Sequence, residues 1–239
     1  MCSSDLAEAH DRLGFTTEAG RLYQLMAKGP KRPVVTEQAL LGLGKVYLSQ
    51  HDTAAARRVF EHYRLEFPTG RFEREALHLL VQTMIDDGDL TNLLHFCRAW
   101  MLHHPKHSER PWMYQQMAGV LLRLNKHEEA IIATEEAFKA GAPKTAGALL
   151  AYADLLAQMK QYEQAIEVYH TVTENKPDHD QLQWARLQIV RGWQALNQHD
   201  RATVALAELG QTDDSLVTRF SSTYHESIKQ ARQLPQEGL

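Results

Sequence analysis

Apolar residues along the chain fall into paired clusters separated by short polar turns. Leu40, Leu43, Gly44 and Tyr47 form one cluster, and Leu77, Leu80, Val81 and Met84 the next. Tyr114, Met117, Ala118 and Leu121 follow, then Leu149, Tyr152, Ala153 and Leu156, then Ile189, Val190 and Trp193. The i, i+3, i+4, i+7 spacing is that of an amphipathic helix with one buried stripe. After each cluster comes a polar turn, such as Gln50-His51-Asp52, Asp87-Gly88-Asp89 or Asn197-Gln198-His199, and then a second helical stripe. The pattern therefore predicts a series of helical hairpins.

The second stripes share an anchor position at Ala19, Ala56, Leu93, Ala130, Ala165 and Ala202, with steps of 37, 37, 37, 35 and 37 residues. An aromatic or apolar residue stands four positions later in most units, as in Phe60 and Tyr169, and Pro68, Pro105 and Pro177 close three of them. Proline stops the helix before it, so each unit ends where the next begins.

Leu43-Gly44-x2-Tyr47, Ala56-x3-Phe60 and Pro68, with the related set Tyr162, Ala165, Tyr169 and Pro177, resemble the tetratricopeptide repeat (TPR) family. The resemblance covers roughly residues 5 to 210. It implies an all-α fold, a right-handed α-solenoid of about six hairpins. The units fall near 1–30, 34–68, 71–105, 109–143, 146–177 and 180–210, within an array over 1–212. The usual TPR period is 34, so most units here carry three extra residues. The segment Phe67-Pro68-Thr69-Gly70, expected to lead into an extended first helix, is similar to bacterial envelope TPR proteins associated with outer-membrane assembly and the Tol-Pal system.

An end of such a stack needs a cover, because each hairpin exposes an apolar face that only a neighbour can bury. Residues 213–232 supply one: Leu216, Val217, Phe220, Tyr224 and Ile228 form a single stripe behind Asp213 and Asp214, a capping helix followed by a tail over 233–239. The first unit has barely room for its first helix, which suggests a piece of a longer array or a preceding anchor. A periplasm-facing location is favoured over a cytoplasmic one on the envelope-type similarity.

Composition narrows the function classes. Among 239 residues, 26 Lys plus Arg face 30 Asp plus Glu, a formal charge of -4. A protein that tracks nucleic acid needs a concentrated positive face, so nucleic acid is not an expected partner. The 13 Gly and 8 Pro are too few for the turns of an all-β chain. Charges interrupt every apolar stretch, so no membrane span is expected. Two cysteines, Cys2 and Cys97, provide neither a disulfide framework nor a four-ligand zinc site.

Candidate chemistry is sparse. His103, His104 and His107 are the one histidine concentration, and imidazole suits zinc, copper or nickel. Pro105 interrupts the helix that would align them, so the expectation is no metal, with a His-based metal module kept as an alternative. Cys97 stands where Phe60 and Tyr169 stand in sister units, which predicts a buried thiol. Neither a phosphate loop nor an acid–base pair or activated nucleophile emerges, so a non-enzyme without cofactor is expected.

In a TPR array the first helices line the concave groove. The resemblance carries that role to Lys45, His78, Gln82, Gln115, Arg123, Asp154 and Arg191, interleaved with Leu41, Leu150 and Leu187, and Trp112 and Trp184 start first helices that reach the same face. A mixed polar and apolar groove suits a peptide or helix of a partner protein. The paired Lys and Asn clamp of TPR co-chaperones is not reproduced, because Leu41 and Lys45, then His78 and Gln82, stand at those places. The expected function is a protein–protein interaction scaffold. A self-assembling array, hence a homo-oligomer, is the remaining alternative.

Overall fold

A computed structural model describes residues 3–28 and 33–209. Cys2, the helix expected over 213–232 and the tail lie outside the described residues. Within them the chain forms twelve α-helices: α1 (Ser3–Arg12), α2 (Thr16–Lys28), α3 (Pro33–Ser49), α4 (Thr53–Glu66), α5 (Glu73–Asp86) and α6 (Leu90–His103). Then come α7 (Arg110–Arg123), α8 (His127–Lys139), α9 (Ala146–Gln158), α10 (Tyr162–Glu174), α11 (His179–Ala195) and α12 (His199–Leu209). They divide into two compact units, Met1–Glu109 and Arg110–Leu239.

In the first unit each helix packs on its chain neighbour and α1 also touches α3; in the second, α7 to α12 do the same and α9 touches α11. Odd-numbered helices are thus the first helices of hairpins and even-numbered ones the second. The fold is an all-α solenoid of helical hairpins.

The anchor residues explain the stacking. Ala19, Ala56, Leu93, Ala130, Ala165 and Ala202 are at most 1% exposed, because a second helix meets its neighbours there. Around Ala56 a core of Leu40, Leu41, Phe60, Tyr63, Ala76 and Leu80 joins α3, α4 and α5. Leu41, expected on the groove, belongs to this core. Gly44 lies directly against the Phe60 ring, where an added Cβ would stand 2.5 Å from Cζ.

Every hairpin turns in the same way. Gly14, His51, Gly88, Asn125, Lys160 and Asn197 have φ between 56° and 82°. They recur with the same steps of 37, 37, 37, 35 and 37 residues as the buried anchors. The next residue in each case donates its N–H back five positions: Asp52 to the Tyr47 carbonyl at 2.9 Å, Lys126 to Leu121 at 2.9 Å and Gln198 to Trp193 at 2.9 Å. This closure caps the first helix and requires a left-handed residue, which glycine adopts freely and asparagine tolerates. His51 and Lys160 adopt it against their preference. Their substitution by glycine should raise stability by about 1 kcal/mol each, read as a higher urea midpoint at unchanged slope.

The extra residues of the long period are placed in two ways. Helices α3 and α11 have 17 residues. By contrast α5 starts only at Glu73 and has 14 residues, so Phe67-Pro68-Thr69-Gly70 does not lead into an extended helix. The surplus forms a turn whose donors bond partly within the turn and partly to earlier helices. Gly70 N–H bonds the Phe67 carbonyl at 3.1 Å. Arg71 N–H bonds Glu37 Oε2 at 2.9 Å and Phe72 N–H bonds the Tyr63 hydroxyl at 3.1 Å. With these bonds made, nothing favours adding a helical turn.

Candidate functional site

All seven expected groove residues lie on first helices: Lys45 on α3, His78 and Gln82 on α5, Gln115 and Arg123 on α7, Asp154 on α9 and Arg191 on α11. The two units use that face differently.

In the first unit its polar groups pair with one another. Lys45 Nζ meets Glu75 Oε1 at 2.6 Å, and Gln82 donates to Asp86 Oδ1 at 2.7 Å. Glu109, whose side chain is 8% exposed, lies between Arg74 Nε at 2.6 Å and His78 Nε2 at 2.7 Å. A buried carboxylate needs such partners, and these tie the segment after α6 onto α5. Lys45, His78 and Gln82 thus already have partners within the chain.

The clustered histidines are engaged as well. His107 accepts from the Glu109 N–H through Nδ1 at 3.1 Å, which leaves its proton on Nε2, 3.5 Å from Glu73. Its ring meets Trp100 edge-on with centroids 5.1 Å apart, and His104 lies 4.8 Å from the same indole. Burial, then the Arg64 charge, lowers the His104 pKa. No group of three His, Cys, Asp or Glu among the described residues is placed to hold a metal ion. Cys97 is fully buried, which pushes its thiol up to about 12.

In the second unit the first-helix face is more open. Trp184 on α11 is 43% exposed, yet its indole N–H donates to Asp154 on α9, at 3.0 Å to Oδ1 and 3.3 Å to Oδ2. The Tyr169 hydroxyl of α10, itself buried, donates to the same Oδ1 at 2.5 Å. One carboxylate therefore joins α9, α10 and α11 and fixes the plane of an exposed indole. Burial first, and Asp154 second, raise the Tyr169 pKa. Burial likewise raises that of Tyr152, which donates to Glu135 at 2.8 Å.

Leu150 and Leu187 are half-buried on this face, Leu122 is 40% exposed, and Gln115, Arg123 and Arg191 are exposed. Two bare stretches of backbone accompany them. An added Cβ at Gly119, within α7, would meet nothing within 4 Å, and at Gly147 only Gln181 Nε2 at 3.9 Å. Sequence reasoning placed Asp154 and Trp184 on one face. It missed their bond, which joins residues 30 apart, and it missed Gly119, whose only signal is a glycine inside a helical pattern.

The tetratricopeptide repeat profile matches residues 146–179, the hairpin of α9 and α10. Solved structures match at fold level. The MamA protein superposes with a TM-score of 0.55 at 16% identity, over 73% of this chain and 90% of that one. PilF of Pseudomonas aeruginosa gives 0.55 at 15% identity, over 92% and 96%. The C-terminal part of a TPR repeat-containing protein from Cytophaga hutchinsonii gives 0.59 at 15%, over 87% and 78%. No characterised protein matches the chain by sequence. The α9–α10 hairpin is a tetratricopeptide repeat, and the chain has the fold of the TPR solenoids. Such repeat stacks present extended surfaces to other proteins. Among the described residues no helix is long and apolar enough to cross a membrane.

Proposed function

We propose that the chain is a non-enzymatic adapter that captures a peptide or helix of a partner protein on the first-helix face of its second unit. The observation that carries this reading is the Trp184 indole, half-exposed yet held by Asp154. An aromatic side chain fixed before binding loses little entropy on contact, which makes it a good anchor. Leu122, Leu150 and Leu187 add apolar area, and the bare backbone at Gly119 and Gly147 allows close approach. Gln115, Arg123 and Arg191 stand where they fix register.

Peptides selected on the purified protein from a displayed library should bind this face. Trp184→Ala should weaken them by about 2 kcal/mol, roughly 30-fold, as loss of a central aromatic does. Asp154→Asn should weaken them less, since it loosens the indole without deleting it. Lys45→Ala, in the first unit, should leave affinity unchanged. Peptides that bind Trp184→Ala as tightly as the parent would overturn the assignment.

A further inference from the structure

Charge is segregated by helix layer, and with opposite sign in the two units. The second helices of the first unit, α2, α4 and α6, carry six basic against three acidic residues. Those of the second unit, α8, α10 and α12, carry nine acidic against two basic. A formal charge of -4 for the chain conceals this polarity.

Part of that charge is neutralised internally. Arg57 pairs with Glu61 and Asp89, and Arg64 lies over the Phe96 ring at 5.2 Å. Glu129 pairs with Lys126 and Glu136 with Lys139. Arg21 and Arg58 are exposed on α2 and α4 with no ion pair to a described residue, 37 residues apart and so at the same place in successive hairpins. On α10, Glu163, Glu167 and Glu174 are exposed, again with no cation among the described residues at ion-pair distance. Glu163 and Glu167 stand one turn apart, where like charges repel.

The same layers carry exposed apolar side chains. Leu25, Leu65 and Leu102 of α2, α4 and α6 are 69%, 83% and 77% exposed. Ile132 of α8 and Val204 of α12 are 59% and 64% exposed. Beside Leu65 lies a hollow of about 500 Å³ bordered by Arg64, Pro68 and His104 and by two carboxylates, Glu73 and the Arg57-paired Glu61. Large apolar side chains among unneutralised charges of one sign form a surface suited to a partner of opposite sign.

We propose that the occupant of each layer is the other layer on a second copy of this chain: the basic second-helix face of one copy docks on the acidic second-helix face of another. The argument is complementarity. Arg21 and Arg58 supply what Glu163, Glu167 and Glu174 lack, and the exposed leucines meet Ile132 and Val204. The first-helix faces serve this less well, since Lys45, His78 and Glu109 are already paired within the first unit. Two different patches meeting make a heterologous contact, which forms rings or open chains according to its geometry. It leaves the Trp184 face outside the contact, so the adapter reading and this one stand or fall separately.

Sedimentation velocity on the full chain tests it. The protein should associate at about 50 mM salt and dissociate at least tenfold more readily at about 500 mM, where exposed ion pairs are screened. Arg21→Glu with Arg58→Glu should give monomers, as should Glu163→Lys with Glu167→Lys. Mixing the two variants should restore assembly in a one-to-one ratio, which only folded proteins with complementary faces can do. A chain that stays monomeric at about 100 μM in low salt, where electrostatic contacts are strongest, overturns the proposal. So does assembly that survives both reversals, or a mixture that fails to reassemble.

Discussion

Gly44→Ala should remove about 2–4 kcal/mol of stability although it adds a single methyl group. The new Cβ would stand 2.5 Å from Cζ and 2.9 Å from Cδ1 of Phe60. Phe60 is fully buried between Leu40, Tyr63 and Leu80 and cannot move aside. Helices α3 and α4 would have to separate. Alanine's better helix propensity returns at most about 1 kcal/mol. Gly119→Ala is the matched contrast: its methyl meets nothing within 4 Å, so the propensity gain stands alone and stability should rise by about 0.5–1 kcal/mol. Urea unfolding of both variants beside the parent measures the two opposite shifts. A neutral Gly44→Ala would mean that the α3–α4 contact is looser than its geometry.

Stability should also fall steeply in alkali. Burial raises the Cys97 thiol from 9.0 to about 12 and the Tyr63 hydroxyl from 10.0 to about 12. Tyr152 and Tyr169 are raised as well, again chiefly by burial. A group whose pKa is higher in the folded state keeps its full contribution below the unfolded value and loses it as pH climbs through the folded one. The thiol's share therefore declines from about pH 9 and the three phenols' from about pH 10. Each group ionised only in the unfolded chain removes up to about 1.4 kcal/mol per pH unit. The urea midpoint should be flat up to about pH 9 and then drop with a slope that steepens above pH 10. Cys97→Ala should remove the early part of the decline and Tyr169→Phe some of the later part. A midpoint unchanged up to pH 11 would contradict the burial of these groups.

The hairpins were legible in the sequence because their cause is local. Apolar spacing declares each helix, and one buried anchor per hairpin declares the period. The placement of the surplus residues was not legible. Whether Pro68 to Phe72 forms a turn or a helix depends on Glu37 and Tyr63, 34 and 9 residues before the N–H groups of Arg71 and Phe72 that they take up. The same holds for the site. First-helix register brought Asp154 and Trp184 to one face, but Tyr169 from the intervening second helix decides that the carboxylate is an internal joint. Lys45 and His78 read as groove residues for the same reason. Their engagement by Glu75 and Glu109 joins positions 30 and 31 apart, which no spacing rule announces. The charge polarity was present in the sequence throughout and became visible only when residues were sorted by helix layer.

Cys97 lies within the third hairpin with no solvent contact and a thiol reluctant to ionise. A thiol reagent can reach it only when α6 lifts from its neighbours. Its alkylation rate, followed at residue level by mass spectrometry, would therefore clock the opening of that hairpin against whole-chain unfolding. In a protein built by repetition, this gives one hairpin a chemical tag by which to ask whether the first unit comes apart all at once or hairpin by hairpin.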